Sequence, residues 1–155
     1  MTDPESPRLA ILLAKLSKTV FRKSEEALPE IGIKDYLALS QLDDHGVPQQ
    51  RLAERLGMDE NNLVLLLNGL EEAGSIARRR DPGDRRRHIV EITPRGKKVL
   101  ERAERGMARL EEELLAALSP SERATLKQLV RRVLQSQAAS TRQAASARQH
   151  EPAGR

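Results

Sequence analysis

The 155-residue chain has no cysteine and no tryptophan, and Phe21 and Tyr36 are its only aromatic residues. Without thiols there are no disulfides, no thiolate nucleophile, no thiol redox sensor and none of the usual cysteine-based zinc sites. Without aromatics, the core must be assembled from Leu, Ile, Val and Ala, the residues of packed amphipathic helices, which favours an α-rich fold. Long apolar runs are missing as well. None approaches the ~18 residues of a membrane span, and Met1 to Pro7 is polar and acidic without the apolar stretch of a signal peptide. A cytoplasmic protein with no membrane partner is the expectation. His45, His88 and His150 are scattered along the chain and suggest neither a catalytic triad nor a metal centre, so no enzyme activity, metal or cofactor is expected. His45 beside Asp43 and Asp44 fits a polar helix end.

What is present is helical punctuation. Ser6-Pro7 can cap and open a first helix carrying Leu9, Leu12, Leu13, Leu16, Val20 and Phe21 at three- and four-residue spacings, ending near Leu28-Pro29. After Gly32, the pattern Ile33, Tyr36, Leu37, Leu39, Leu42 predicts a second helix reaching His45, with Gly46 as a left-handed C-cap. Pro48 opens a short third helix with Leu52, Ala53 and Leu56, closed by Gly57. Asp59 can cap a fourth, with Glu60 in its first turn and Gly74 at its end. Two helices of these lengths joined around a glycine read as a helix-turn-helix.

Beyond Gly74 the period changes. Ser75 to Arg80 and the alternating His88 to Thr93 predict a β-hairpin, a wing, whose Pro82-Gly83 pair suits the centre of a type II turn. From Pro94 a long helix runs to about Leu118, with Leu100, Ala103, Met107, Leu110, Leu114 and Ala117 spaced like a coiled-coil seam. Ser119-Pro120-Ser121-Glu122 forms a capping box ahead of Leu126, Leu129, Val130, Val133 and Leu134. From about Ser136 no large apolar residue remains, which predicts a flexible tail. The expected fold is therefore mainly α with a small β-hairpin. A winged helix-turn-helix lobe spans 33–96, a helical dimerisation region combines 8–28 with 97–136, and 1–7 and 137–155 are flexible termini. The apolar stripes of the terminal helices exceed what a lobe of about sixty residues can cover, so a homodimer is expected.

The charge is concentrated in the wing. Between Arg78 and Arg87 stand six arginines and two aspartates, an excess equal to the formal +4 of the whole chain. Such a cluster on a hairpin tip repels itself unless an anion faces it. The phosphates of double-stranded DNA supply that anion, because each one neutralised releases counterions. Arg80, Arg85, Arg86 and Arg87 are the candidate contacts.

The run Asp81-Pro82-Gly83-Asp84-Arg85-Arg86, followed by Ile92-Thr93-Pro94-Arg95-Gly96, resembles the wing signature and the threonine-x-x-glycine helix start of the MarR family of bacterial transcription regulators. The likeness runs from about Ile33 to Gly96, with Gln50, Leu52, Ala53, Leu56, Leu70, Glu71, Gly74 and Arg79 at positions the family pattern favours. It implies a dimer built from the terminal helices and a regulator, a repressor in the first instance, on a pseudopalindromic operator. By the same analogy Arg86 reaches a minor groove while Asp84 orients its guanidinium.

In such a fold the fourth helix enters the major groove, which makes Glu60, Asn61, Asn62 and Asn68 the candidates for base contact, with Gln49 and Gln50 at the start of the third helix beside them. Asn61 and Asn62 can each pair bidentately with adenine. Asn62 also has the spacing of a capping partner for Asp59. The middle of this helix departs from the family, placing Val64, Leu65 and Gly69 where threonine and two arginines are usual. The run Leu63 to Leu67 is apolar all round and cannot all face one core. Two alternatives follow: an interaction module that packs this helix on a protein partner, or a DNA binder without sequence preference. The resemblance further implies a small lipophilic or aromatic anion as effector, in a crevice between the dimerisation helices and the DNA-binding lobe, with Arg22, Tyr36 and His45 as polar contributors.

Overall fold

The computed structural model describes residues 7–149. Its elements in chain order are α1 (Leu9–Ala27), α2 (Ile33–Leu39), β1 (Val47–Pro48), α3 (Gln49–Leu56), α4 (Glu60–Glu72), β2 (Ile76–Arg80), β3 (His88–Ile92), α5 (Pro94–Leu114) and α6 (Pro120–Gln149). The chain divides into two compact units between Glu113 and Leu114. In the first unit α5 meets the end of α1 at Gly106, where a Cβ would stand 2.1 Å from the Ala27 carbonyl oxygen.

The core of the first unit is aliphatic, as the scarcity of aromatics requires. Leu39 from α2, Leu52 from α3, Leu63 and Leu67 from α4, and Val47 and Val90 from the sheet are fully enclosed. α3 and α4 end at Gly57 and Gly74, both in the left-handed conformation that only glycine adopts without strain.

Four expectations need correction. α2 stops at Leu39 rather than His45. The Ser40 hydroxyl donates to the Leu37 carbonyl, and the next amides bond three residues back, so the chain tightens into turns while Leu42 still reaches the core. The hairpin is part of a three-stranded sheet of order β1-β3-β2, in which Val47 pairs with Val90, and Ile76 with Ile92. The wing tip is not a type II turn, for Gly83 has no positive φ. Asp81 instead accepts the Gly83 amide and Asp84 the Arg86 amide, aspartate side chains doing locally what a glycine turn would do. Lastly, α6 continues to Gln149, well past the expected start of the tail at 137. Its capping box forms, the Ser119 amide donating to Glu122 and the Glu122 amide to the Ser119 hydroxyl. Ala, Gln and Arg then propagate the helix without needing a core. The expected N-cap Ser6 lies outside the described residues, as do the rest of 1–6 and 150–155. The structure puts Arg8 at the N-cap position.

The stripe on α5 is likewise not an open seam. Of the expected seam, Ala103 and Leu110 are buried within the chain beside Val99 and Gly106; Leu100, Met107 and Leu114 are half-buried, and Ala117 lies beyond the end of α5 at Leu114.

Candidate nucleic-acid interface

A trough of about 610 Å³ lies between the start of α3, the start of α4 and the wing. Five of the residues singled out in the sequence line it together: Gln49, Gln50, Glu60, Arg86 and Arg87. Arg51 and His88 join them and were missed. Their signals were slight: Arg51 directly follows Gln50 in the first turn of α3, and His88 faces Arg80 across the β2–β3 ladder.

The wing arginines are not equivalent. Arg78 lies on the core side of β2 opposite Val90, and its guanidinium is held by Glu71 and, at 2.6 Å, by the side-chain Oδ1 of Asn68. Arg79 pairs with Glu91 at 2.6 Å, and Arg87 with Asp84 at 3.4 Å. Arg80 donates to the Arg85 carbonyl at 3.1 Å, a neutral acceptor. Among the described residues the guanidiniums of Arg85 and Arg86 have no partner in the chain. The free positive charge is thus concentrated at residues 80, 85 and 86, because carboxylates from α4 and β3 neutralise the base of the wing. Asp84 differs from expectation: it binds the Arg86 backbone amide and the Arg87 side chain, not the Arg86 guanidinium.

On α4 the asparagines separate. Asp59 is the N-cap and accepts the Asn62 backbone amide at 2.9 Å. The Asn62 side-chain amide turns back to the same carboxylate, and these bonds hold Asp59 below the usual carboxylate range. Asn62 is therefore a capping residue here. Asn68 is engaged by Arg78. Asn61 is exposed, and its side-chain amide is unpartnered among the described residues. The apolar run resolves by helical geometry: Leu63 and Leu67 are enclosed, Leu66 packs against the core, and Leu65 points outward at 69 % exposure.

Glu71 is held below its ordinary range chiefly by the Arg78 guanidinium, and this pair ties the end of α4 to β2. The other end of the sheet is fixed to α5. The Thr93 hydroxyl donates to the Gly74 carbonyl at 2.6 Å and accepts the Gly96 amide at 3.0 Å, while the Thr93 amide donates to Ser75. Gly96 is required there, for a Cβ would stand 2.0 Å from the Ser75 carbonyl oxygen.

The three effector candidates do not converge on one cavity. Arg22 lines a recess of about 740 Å³ with Phe21, Ser24 and the start of α2, and neither Tyr36 nor His45 borders it. Tyr36 is half-buried, and burial together with Glu104 and Glu111 pushes its hydroxyl above the usual range. His45 lies in the turn before β1, its amide donating to Asp43, while Asp44 pairs with Lys97. No cluster of three potential metal ligands occurs among the described residues, and no helix among them is long and apolar enough to cross a membrane.

A helix-turn-helix whose second helix shares a concave, arginine-edged face with a β-wing defines a winged helix-turn-helix, DNA-binding protein. Residues 31–87 match the family model described as the MarR family. A regulatory protein named for the hcr operon of Thauera aromatica is 39% identical over 88 residues, 57% of this chain and 53% of that one, so the match spans about half of that relative. The transcriptional regulator HosA of Escherichia coli O111:H- is 31% identical over 111 residues, 71% of this chain and 82% of HosA. Among solved structures, the transcriptional repressor CouR bound to a 23-mer DNA duplex superposes with a TM-score of 0.76 at 29% identity, covering 81% of this chain and 92% of CouR. A structure of CouR from Rhodococcus jostii RHA1 bound to p-coumaroyl-CoA superposes with a TM-score of 0.75 at 25% identity, covering 88% of this chain and 96% of that one. The chain belongs to the MarR family and is a DNA-binding transcription regulator.

Proposed function

We propose that the protein is a dimeric repressor that grips a pseudopalindromic operator through the trough and wing and releases it when a small aromatic or acyl anion binds. One observation carries this reading: the trough brings Gln49, Gln50 and Glu60 of the helix-turn-helix into one concavity with Arg86, whose guanidinium is unspent. Free arginines at the wing suit phosphates and a narrow minor groove, and the unpartnered Asn61 suits an adenine edge in the major groove. The dimerisation region of the proposal is formed by 8–28 and 97–136, with the exposed apolar residues of α1 and α6 as the contact surfaces. For the effector, the recess of Phe21 and Arg22 offers an aromatic face and a cation together. One structural neighbour, a CouR repressor, is seen with DNA, and another, the CouR of Rhodococcus jostii RHA1, with an acyl thioester, which supports such a switch.

The test is to select operators from genomic fragments and then titrate variants against salt. Arg86→Ala is expected to weaken binding to every sequence and to flatten log affinity against log salt by about one unit. Asn61→Ala is expected to leave the slope unchanged and alter preference at individual base pairs by about 1 to 3 kcal/mol. If Arg86→Ala changes nothing, the wing is only a solvated loop and the proposed grip is wrong.

A further inference from the structure

Leu65 occupies the centre of the solvent-facing side of α4. The buried side of that helix is Leu63, Leu67 and Leu70, and the opposite side runs Asn61, Leu65, Asn68, Glu72. At 69 % exposure Leu65 ties with Leu9 as the most exposed large apolar residue described, on a face otherwise polar. One turn before it stands the unpartnered Asn61. One turn after it stands Gly69, with no atom of the described residues within 4 Å of where its Cβ would be beyond its own chain neighbours, so at that position bare backbone borders Leu65.

Building on the DNA-reading function proposed above, we propose that Leu65 is a specificity-determining residue that reads a thymine by packing on its C5 methyl, next to the adenine read by Asn61. A leucine has no donor or acceptor, and the one apolar feature that a base pair displays in the major groove is the thymine methyl. The four-residue separation from Asn61 places the two contacts about 6 Å apart along the helix, the rise of about two base pairs. Leu65 therefore selects a thymine about two base pairs from that adenine in each half-site. Leu65 also borders a recess of about 610 Å³ with Phe21 and Leu37, but that recess opens on the Asn62 and Leu66 side of α4, whereas Leu65 shares its face with Asn61.

Deoxyuridine differs from thymidine by the methyl alone, so replacing each thymine of the selected operator in turn tests the contact. The parent protein is expected to lose about fourfold in affinity at one position per half-site, the worth of one buried methyl-sized group. Leu65→Ala is expected to bind thymine and uracil probes alike at that position, and Leu65→Ile to restore the discrimination. If the operator selection enriches no sequence at all, the DNA-reading function fails, and this assignment with it. If the parent selects an operator but no uracil substitution weakens it, or if Leu65→Ala keeps the full uracil penalty, the function stands and the role of Leu65 is refuted. A Leu65→Ala protein that keeps methyl discrimination and loses its response to effector would place Leu65 in the Phe21 recess instead.

Discussion

Gly69 lies in ordinary helical backbone, and nothing in the fold occupies the space its missing side chain leaves. Glycine in a helix interior costs about 0.5 to 1 kcal/mol relative to alanine, because the unfolded chain has more freedom to lose. Gly69→Ala is therefore expected to raise the melting temperature by about 1 to 4 °C in a thermal scan. Alanine at Gly96 or Gly106 would instead drive a methyl into a carbonyl oxygen. At this scale the sequence was only partly legible. The spacing of Asp59 and Asn62 allowed both a cap and a base contact, and only in the folded chain is the Asn62 amide turned back to the carboxylate. Likewise the arginine cluster showed where charge accumulates but not which members are free. Glu71 and Glu91, which neutralise Arg78 and Arg79, come from neighbouring elements and not from the cluster itself.

Elements are held together by a few polar latches, and the one between α4 and β2 has a pH signature. Arg78 lowers the Glu71 pKa below its ordinary 4.5, so the unfolded chain binds a proton more readily than the folded one at that group. Its contribution is fully present above the ordinary value and is lost as pH falls through the depressed folded value. Melting Glu71→Gln beside the parent should show the variant less stable at neutral pH, with the gap closing below about pH 4.5. A gap that stays constant down to pH 3 would mean that the ion pair contributes nothing. The helices and the hairpin were legible as elements because their caps and periods are local. β1 was not, because two residues carry no period and Val47 becomes a strand only by pairing with Val90. The end of α2 was overrun for a related reason: Leu42 keeps the helical apolar spacing although the Ser40 hydroxyl has already turned the chain. The extent of α6 to Gln149 was not legible because no apolar residue marks it, while its Ala, Gln and Arg can propagate a helix without a core.

Among the described residues, α1 and α6 each leave an apolar surface in water. Leu9, Ile11, Leu12, Leu13 and Leu16 are exposed on α1, as are Leu129, Val130, Val133 and Leu134 on α6. A surface of this kind is the mark of an interface, and burying each such side chain is worth about 1.5 to 3 kcal/mol. Light scattering at micromolar concentration is expected to give twice the 17.3 kDa chain mass. Val133→Glu, at a site 57 % exposed within the chain, should shift that mass to the monomer without unfolding it. Leu110 would be a poor probe, since it is buried inside its own chain. The junction of Thr93 and Gly96 with Gly74 and Ser75 gives this molecule a mechanical character. Three hydrogen bonds and a carbonyl seated against a bare Cα leave no slack between the end of α4 and the first turn of α5. α5 is a shaft about 30 Å long, clamped at its root to the helix that carries Asn61 and Leu65. A small sideways push far along the shaft would reach that clamp as torque on α4 instead of dissipating in a hinge.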